Sequence, residues 1–128
     1  MAVVTAGSAS AATPPCTNDT VSACVDLSAK RAWLMQDGEV TYGPVKITSG
    51  RAGYETDRGR FTVDYKDIDH VSSIYDAPMP YSVFYNGGEA FHEGSLGEKS
   101  HGCVHLGHKA AKRFYRELHK GDLVAVRA

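Results

Sequence analysis

The sequence predicts a mainly β domain, a sandwich or barrel of short strands with one late α-helix and a closing strand. Three observations carry this. Between Cys24 and His92, short extended segments alternate with turn residues. One helical stripe occupies Lys109 to Lys120. Leu123-Val124-Ala125-Val126 then reads as a last strand.

The elements follow in order. Thr13 to Thr20 is loop by composition, with Pro14-Pro15 and Asn18-Asp19. Cys24 to Leu27 is extended, and Ser28-Ala29-Lys30 turns. Ala32-Trp33-Leu34-Met35 is apolar and β-prone. Asp37-Gly38 is a hairpin dipeptide, after which Val40-Thr41-Tyr42 returns. Pro44 to Thr48 alternates with period two, and Ser49 to Gly53 is a loop. Gly59 to Tyr65 alternates again, with Phe61, Val63 and Tyr65 expected on one face. Asp67 to Pro80 reads as a long excursion with a short extended piece near Val71. Tyr81 to Tyr85 and Glu89 to His92 form a hairpin about Asn86-Gly87-Gly88, which delivers His92 to its far end.

The helix expected over residues 109–120 places Ala111, Phe114, Tyr115 and Leu118 on one stripe. Gly121 suits the position after its end, and Gly107 and His108 make a weak N-cap. The sequence shows no internal repeat. It divides into a leader over residues 1–22 and one folded domain over residues 23–128, a size that buries a modest core.

The charge is close to balanced: 14 lysines and arginines against 15 acidic residues, a net −1. No basic stripe points to nucleic acid, and no apolar run is long enough to span a membrane. Ala9-Ser10-Ala11 is like a signal-peptidase site, without a basic segment before it. It reads either as the end of a signal peptide that starts upstream or as a disordered small-residue leader. Export is the expectation. In that setting three cysteines suggest one disulfide, Cys16–Cys24, and one free thiol, Cys103. A bridge closing so short a loop stabilises by roughly 2.5 kcal/mol in the chain-entropy account.

The chemistry concentrates in Ser100-His101-Gly102-Cys103-Val104-His105, with Phe91-His92-Glu93-Gly94-Ser95 upstream. A cysteine nucleophile needs a base, because the thiolate attacks and a free thiol is mostly protonated at neutral pH. His92 and His101 are both candidates. His101 lies two residues from Cys103, on the same face if that segment is extended. Gly102 permits a tight turn that turns backbone N–H groups, those of Gly102 and Cys103, towards an oxyanion. Ser100 sets the geometry through nearby backbone or a ring nitrogen.

Ser-His-Gly-Cys before an apolar residue, with a histidine loop upstream, resembles the L,D-transpeptidase catalytic domain, the YkuD family. Cys24 to Ser28, Thr56 to Phe61 and the closing helix and strand resemble it in the same order, so the likeness runs from about Ala23 onward. The resemblance implies a YkuD-like β fold and peptidoglycan stem peptides as substrate. Cys103 would attack the carbonyl of the stem diamino acid and release the terminal D-alanine. An acceptor amine would then capture the thioacyl-enzyme. Capture by water would make it an L,D-carboxypeptidase. It implies His92 as base, oriented by the Glu93 carbonyl, with His101 on the oxyanion side. It implies carbapenem-type β-lactams as inhibitors, and no cofactor.

Two positions depart from the family pattern. His105 stands where Arg or Asn is common, and is expected to donate a hydrogen bond to substrate, though it lacks the arginine fork. Asp57 follows Thr56 where proline is frequent. The stretch from His92 to Ser100 is short, so the lid is expected to be small. Tyr75, Tyr81 and Tyr85 are expected to wall the stem. Competing readings are a zinc site built from His92, His101, Cys103, His105 and His108, and a non-catalytic wall-binding module. Against zinc, no Cys-x-x-Cys pair is present and only one cysteine is available.

Overall fold

The structure, a computed structural model, describes residues 13–72 and 77–128. The strands are β1 (Val21–Asp26), β2 (Arg31–Gln36), β3 (Glu39–Thr48), β4 (Gly59–Thr62), β5 (Tyr65–Val71), β6 (Pro78–Asn86), β7 (Glu89–Glu93) and β8 (Val104–Leu106). Helix α1 (His108–Glu117) and strand β9 (Leu123–Arg127) complete the fold. The strands form one sheet in the order β4-β9-β1-β2-β3-β8-β7-β6-β5. It curls into a half-barrel, the mainly β architecture with one helix that the sequence predicts.

β3 makes the curl possible. Its first part pairs with β2, and its last residues, Ile47 and Thr48, pair with Leu106 and His105 of β8. The register slips twice along β2–β3, which bends the strand from one half of the sheet to the other. Helix α1 lies against β6, β7 and β8. Its buried stripe, Ala110, Ala111 and Phe114, meets Phe91, Leu34 and Val104 in the main core. Full burial of a side chain such as Phe114 stabilises by about 1.5–3 kcal/mol. A second cluster on the far face gathers Val21, Trp33, Met35 and Ala125 around Cys16 and Cys24, which are joined in a disulfide.

Several local expectations change. β5 runs on through Val71 in antiparallel register with β6, from Tyr65 opposite Phe84 to Val71 opposite Pro78. The excursion read from Asp67 is thus mostly strand. β5 ends the sheet, and an edge strand tolerates the charges that hid it. Phe61, Val63 and Tyr65 do not share one strand face. The chain crosses from β4 to β5 at Val63, which is buried, whereas Tyr65 is exposed and stacks on Phe84. Val63 is pinned there from both sides, donating to Asp122 O and accepting from Gly121 N–H. Gly121 therefore serves this crossing and does not follow the helix end. α1 stops at Glu117, and Leu118 turns extended to bury its side chain in the core. The helix start at Gly107 carries no side-chain cap.

Candidate active site

β7 and β8 are parallel neighbours, with Phe91 opposite Val104 and His92 opposite His105. Phe91 and Val104 face the core. Alternation then puts Ala90, His92, Cys103 and His105 on the other side. That side borders an open cleft of about 870 Å³, lined by His92, Ser100, His101, Cys103 and His105 among others. One short strand pair thus delivers the chemical groups of both sequence motifs to one place.

His92 is buried, and its Nδ1 lies 2.8 Å from Glu93 O. A carbonyl only accepts, so Nδ1 carries the proton and Nε2 of the neutral ring keeps its lone pair. Burial above all pushes the His92 pKa down to about 4, against the hydrogen bond to Glu93, and His105 adds to the lowering. The ring is therefore neutral near pH 7. Cys103 is the free cysteine and half-buried. Its thiol donates to Gly88 O at 3.5 Å. Burial raises the thiol pKa, offset in part by the Ala90 backbone and reinforced by the charge of Glu89. Both shifts favour the neutral forms, a thiol at Cys103 and an uncharged imidazole at His92.

The loop before Cys103 is held from within. Ser100 Oγ donates to Cys103 O at 2.6 Å and accepts from Gly102 N–H at 3.0 Å. The Gly102 N–H, expected to face an oxyanion, is thereby committed to Ser100. Gly102 has φ +130°, a conformation that favours glycine, and it turns its N–H back under the loop. His101 does not share an extended face with Cys103. The chain bends at residues 101–102, and His101 is exposed with its ring edge-on to Tyr54 at 5.0 Å.

His105 Nδ1 lies 2.9 Å from Ser95 O and 3.2 Å from Thr48 Oγ1, which itself donates to Ser95 O. Nδ1 therefore carries the proton. The remaining Nε2 keeps its lone pair and is an acceptor in the neutral ring. This alters the donor role expected from sequence.

The tyrosine wall is not where the sequence put it. Tyr85 is buried in the main core, and Tyr81 packs on Tyr115 and His108 beside the helix. Parity decides this: Tyr81, Val83 and Tyr85 of β6 turn to the helix side, whereas Phe84 lines the cleft. The aromatic residues bordering the cleft are Phe84, stacked on Tyr65 at 4.5 Å, and His70, edge-on to Phe84 at 4.8 Å. Tyr75 lies outside the described residues. His108 Nδ1 pairs with Glu93 Oε1 at 2.9 Å, apart from the thiol. Among the described residues no three His, Cys, Asp or Glu side chains group as metal ligands.

Sequence reasoning overlooked the residues that support the loop from outside. Thr56, buried, donates to Gly102 O at 2.8 Å and accepts from Gly50 N–H at 3.0 Å. Arg51 donates to Ser100 O at 3.2 Å and also to Lys99 O. The only signal was the place of Thr56 in the Thr56–Phe61 stretch.

The YkuD L,D-transpeptidase catalytic domain family model matches residues 20–126. The chain belongs to the YkuD family. No curated protein matches it. Among solved structures it is similar to an L,D-transpeptidase from Stackebrandtia nassauensis, with 33% identity and TM-score 0.79 over 83% of this chain and 54% of that one. It is similar to one from Mycobacterium smegmatis, with 26% identity and TM-score 0.74 over 81% and 57%. For one from Mycobacterium tuberculosis the values are 25% and 0.75 over 81% and 56%. The chain thus spans little more than half the length of these proteins.

Within this YkuD domain the two departures from the family pattern have structural correlates. Asp57, in place of proline, has an N–H, and it donates to Glu89 Oε2 at 3.1 Å. His105 fits only because residue 94 is glycine. A Cβ there would stand 2.6 Å from His105 Cδ2.

Proposed function

We propose that this domain is a cysteine-dependent peptidoglycan L,D-transpeptidase. The observation that carries the reading is His92. It is neutral, its Nδ1 is fixed on Glu93 O, and its free nitrogen borders the cleft that holds the free thiol.

Nε2 of His92 takes the Cys103 proton as the sulfur attacks the diamino-acid carbonyl of a stem peptide. Because the resting pair is neutral, the proton moves during attack rather than before it. The imidazolium so formed protonates the departing D-alanine amine. The Cys103 N–H is the oxyanion donor at the turn, with Gly102 held in shape by Ser100 and Thr56. Residues 23–128 hold the catalytic groups, and the first strand of their sheet begins at Val21, inside the stretch read as leader. The exported, envelope location accords with the Cys16–Cys24 disulfide, which persists in oxidising compartments.

A carbapenem tests the reading. Its strained carbonyl presents the same electrophile as the stem amide. Intact-protein mass should show one adduct, mapped to Cys103, absent in Cys103→Ala and unaffected by a chelator. An unmodified protein would favour an inert wall-binding module. Chelator-sensitive labelling would favour zinc.

A further inference from the structure

The level of Cys103 falls at Ala90 on β7, because Phe91 pairs with Val104. His92 lies two residues beyond that level. Glu89 lies one residue before it, and its Oε2 would be 3.4 Å from a Cβ placed on Gly102. Along β7 the level of the thiol thus lies between His92 and Glu89.

That carboxylate is held in place. Asp57 N–H donates to Oε2 at 3.1 Å, and Asn86 Nδ2 approaches Oε1 at 3.4 Å. The same Asn86 amide donates to Asp57 Oδ2 at 2.9 Å, so one side chain gathers both acids. Among the described residues no lysine or arginine pairs with either. Both border the cleft. Burial, and then the charge of Asp57, raise the Glu89 pKa, against the two hydrogen bonds it accepts. Glu89 is a stronger base than an ordinary surface carboxylate.

A second observation marks the same corner. Tyr85 is 3% exposed, and its hydroxyl is the buried side-chain oxygen without a hydrogen-bond partner among the described residues. The ring is wedged between Phe61 and Phe91. Burial opposes its ionisation most, followed by the charges of Glu89, Cys103 and Asp57. An orphaned buried hydroxyl costs about 1–3 kcal/mol.

Resting on the transpeptidase reading above, we propose that Glu89, with Asp57 beside it, receives the ammonium group of the acceptor and takes its proton. The amine then attacks the thioester carbonyl. The new C–N bond forms and the C–S bond breaks. The second amine proton passes by way of His92 to the Cys103 sulfur, and the proton on Glu89 returns to solvent. Free thiol, amide product and carboxylate are restored. The two negative charges favour a charged amine over water as the group that completes the reaction.

The test is the partition of the thioacyl-enzyme, formed from a tetrapeptide stem donor, between amine capture and hydrolysis. The amines are Nα-acetyl-lysine, an ammonium at neutral pH, and hydroxylamine, which is neutral there. Glu89→Gln should lower the capture-to-hydrolysis ratio for Nα-acetyl-lysine by on the order of tenfold or more. For hydroxylamine the ratio should hold within about twofold, since no charge is recognised and no proton must first be removed. Asp57→Asn, which keeps Glu89, should shift the first ratio in the same direction by less, and carries the test if Glu89→Gln does not fold. Unchanged ratios, or equal losses for both amines, would overturn this inference and leave the transpeptidase reading standing. No thioacyl-enzyme in the unsubstituted protein would overturn both.

Discussion

His92 and His105 stand edge to face, ring centroids 4.8 Å apart, on paired positions of parallel strands. Each has its Nδ1 against a backbone carbonyl, Glu93 for one and Ser95 for the other. The two rings are equivalent in tautomer and differ in burial. His92 is almost fully enclosed, and His105 is not. Their substitutions should therefore separate. His92→Ala should lower the single-turnover acylation rate by on the order of a hundredfold or more, the range for a lost general base. His105→Ala should raise the substrate concentration needed and leave a measurable chemical step. Equal losses in single-turnover rate would reverse the assignment.

Gly94→Ala tests how tightly His105 is seated. The added methyl meets the imidazole at 2.6 Å, so the ring must leave its hold on Ser95 and Thr48. The expected loss is about 1–3 kcal/mol in urea unfolding, the range for overpacking. In His105→Ala the same substitution should cost almost nothing. A double-mutant cycle without coupling would show that the ring is free to move.

Thr56→Val keeps the shape and removes the hydroxyl that bridges Gly50 N–H and Gly102 O. Both groups lose a partner inside the protein, at a cost of about 1–3 kcal/mol. The acylation rate should fall while substrate affinity changes little, because the shifted element is the turn before the nucleophile. Thr56→Ser should restore both rate and stability. Failure of serine to rescue would assign the role to the methyl group.

His92 also ties stability to pH. Its pKa is about 4 in the folded chain against an ordinary 6.5. As pH falls below 6.5, the unfolded chain takes up the proton first. The contribution of the neutral ring is whole above that pH and is lost as pH falls towards 4. At about 1.4 kcal/mol per pH unit this window is worth on the order of 3 kcal/mol. The urea midpoint of the native protein should drop across it relative to His92→Gln, which cannot titrate. Parallel pH dependences would remove the buried neutral ring from the account.

What the sequence shows and hides has a physical pattern. Cys103, His92 and Ser100 are legible because their chemistry is a property of short motifs. The strand pair Tyr81–Tyr85 and Glu89–His92 is legible from its turn and its period. Which face of β6 meets the cleft is not, since parity depends on where α1 lies, and so Tyr81 and Tyr85 were expected on the wrong side. β5 escaped notice because Lys66, Asp67, Asp69 and His70 interrupt the apolar pattern, as an edge strand allows. Thr56 and Glu89 could not be placed at all, because each acts on a loop distant in sequence, Thr56 on Gly102 and Glu89 on Asp57.

β9 is made after every other strand, yet it lies inside the sheet, parallel to β1 and antiparallel to β4. Until Leu123–Arg127 emerges, β1 and β4 each expose an open edge, and the Val63 crossing lacks the Gly121 and Asp122 contacts that fix it. β9 thus acts as a zipper closing the half-barrel. A nascent chain short of β9 keeps two adhesive seams open to neighbours, and shortening the protein there would part β4 from the rest of the sheet.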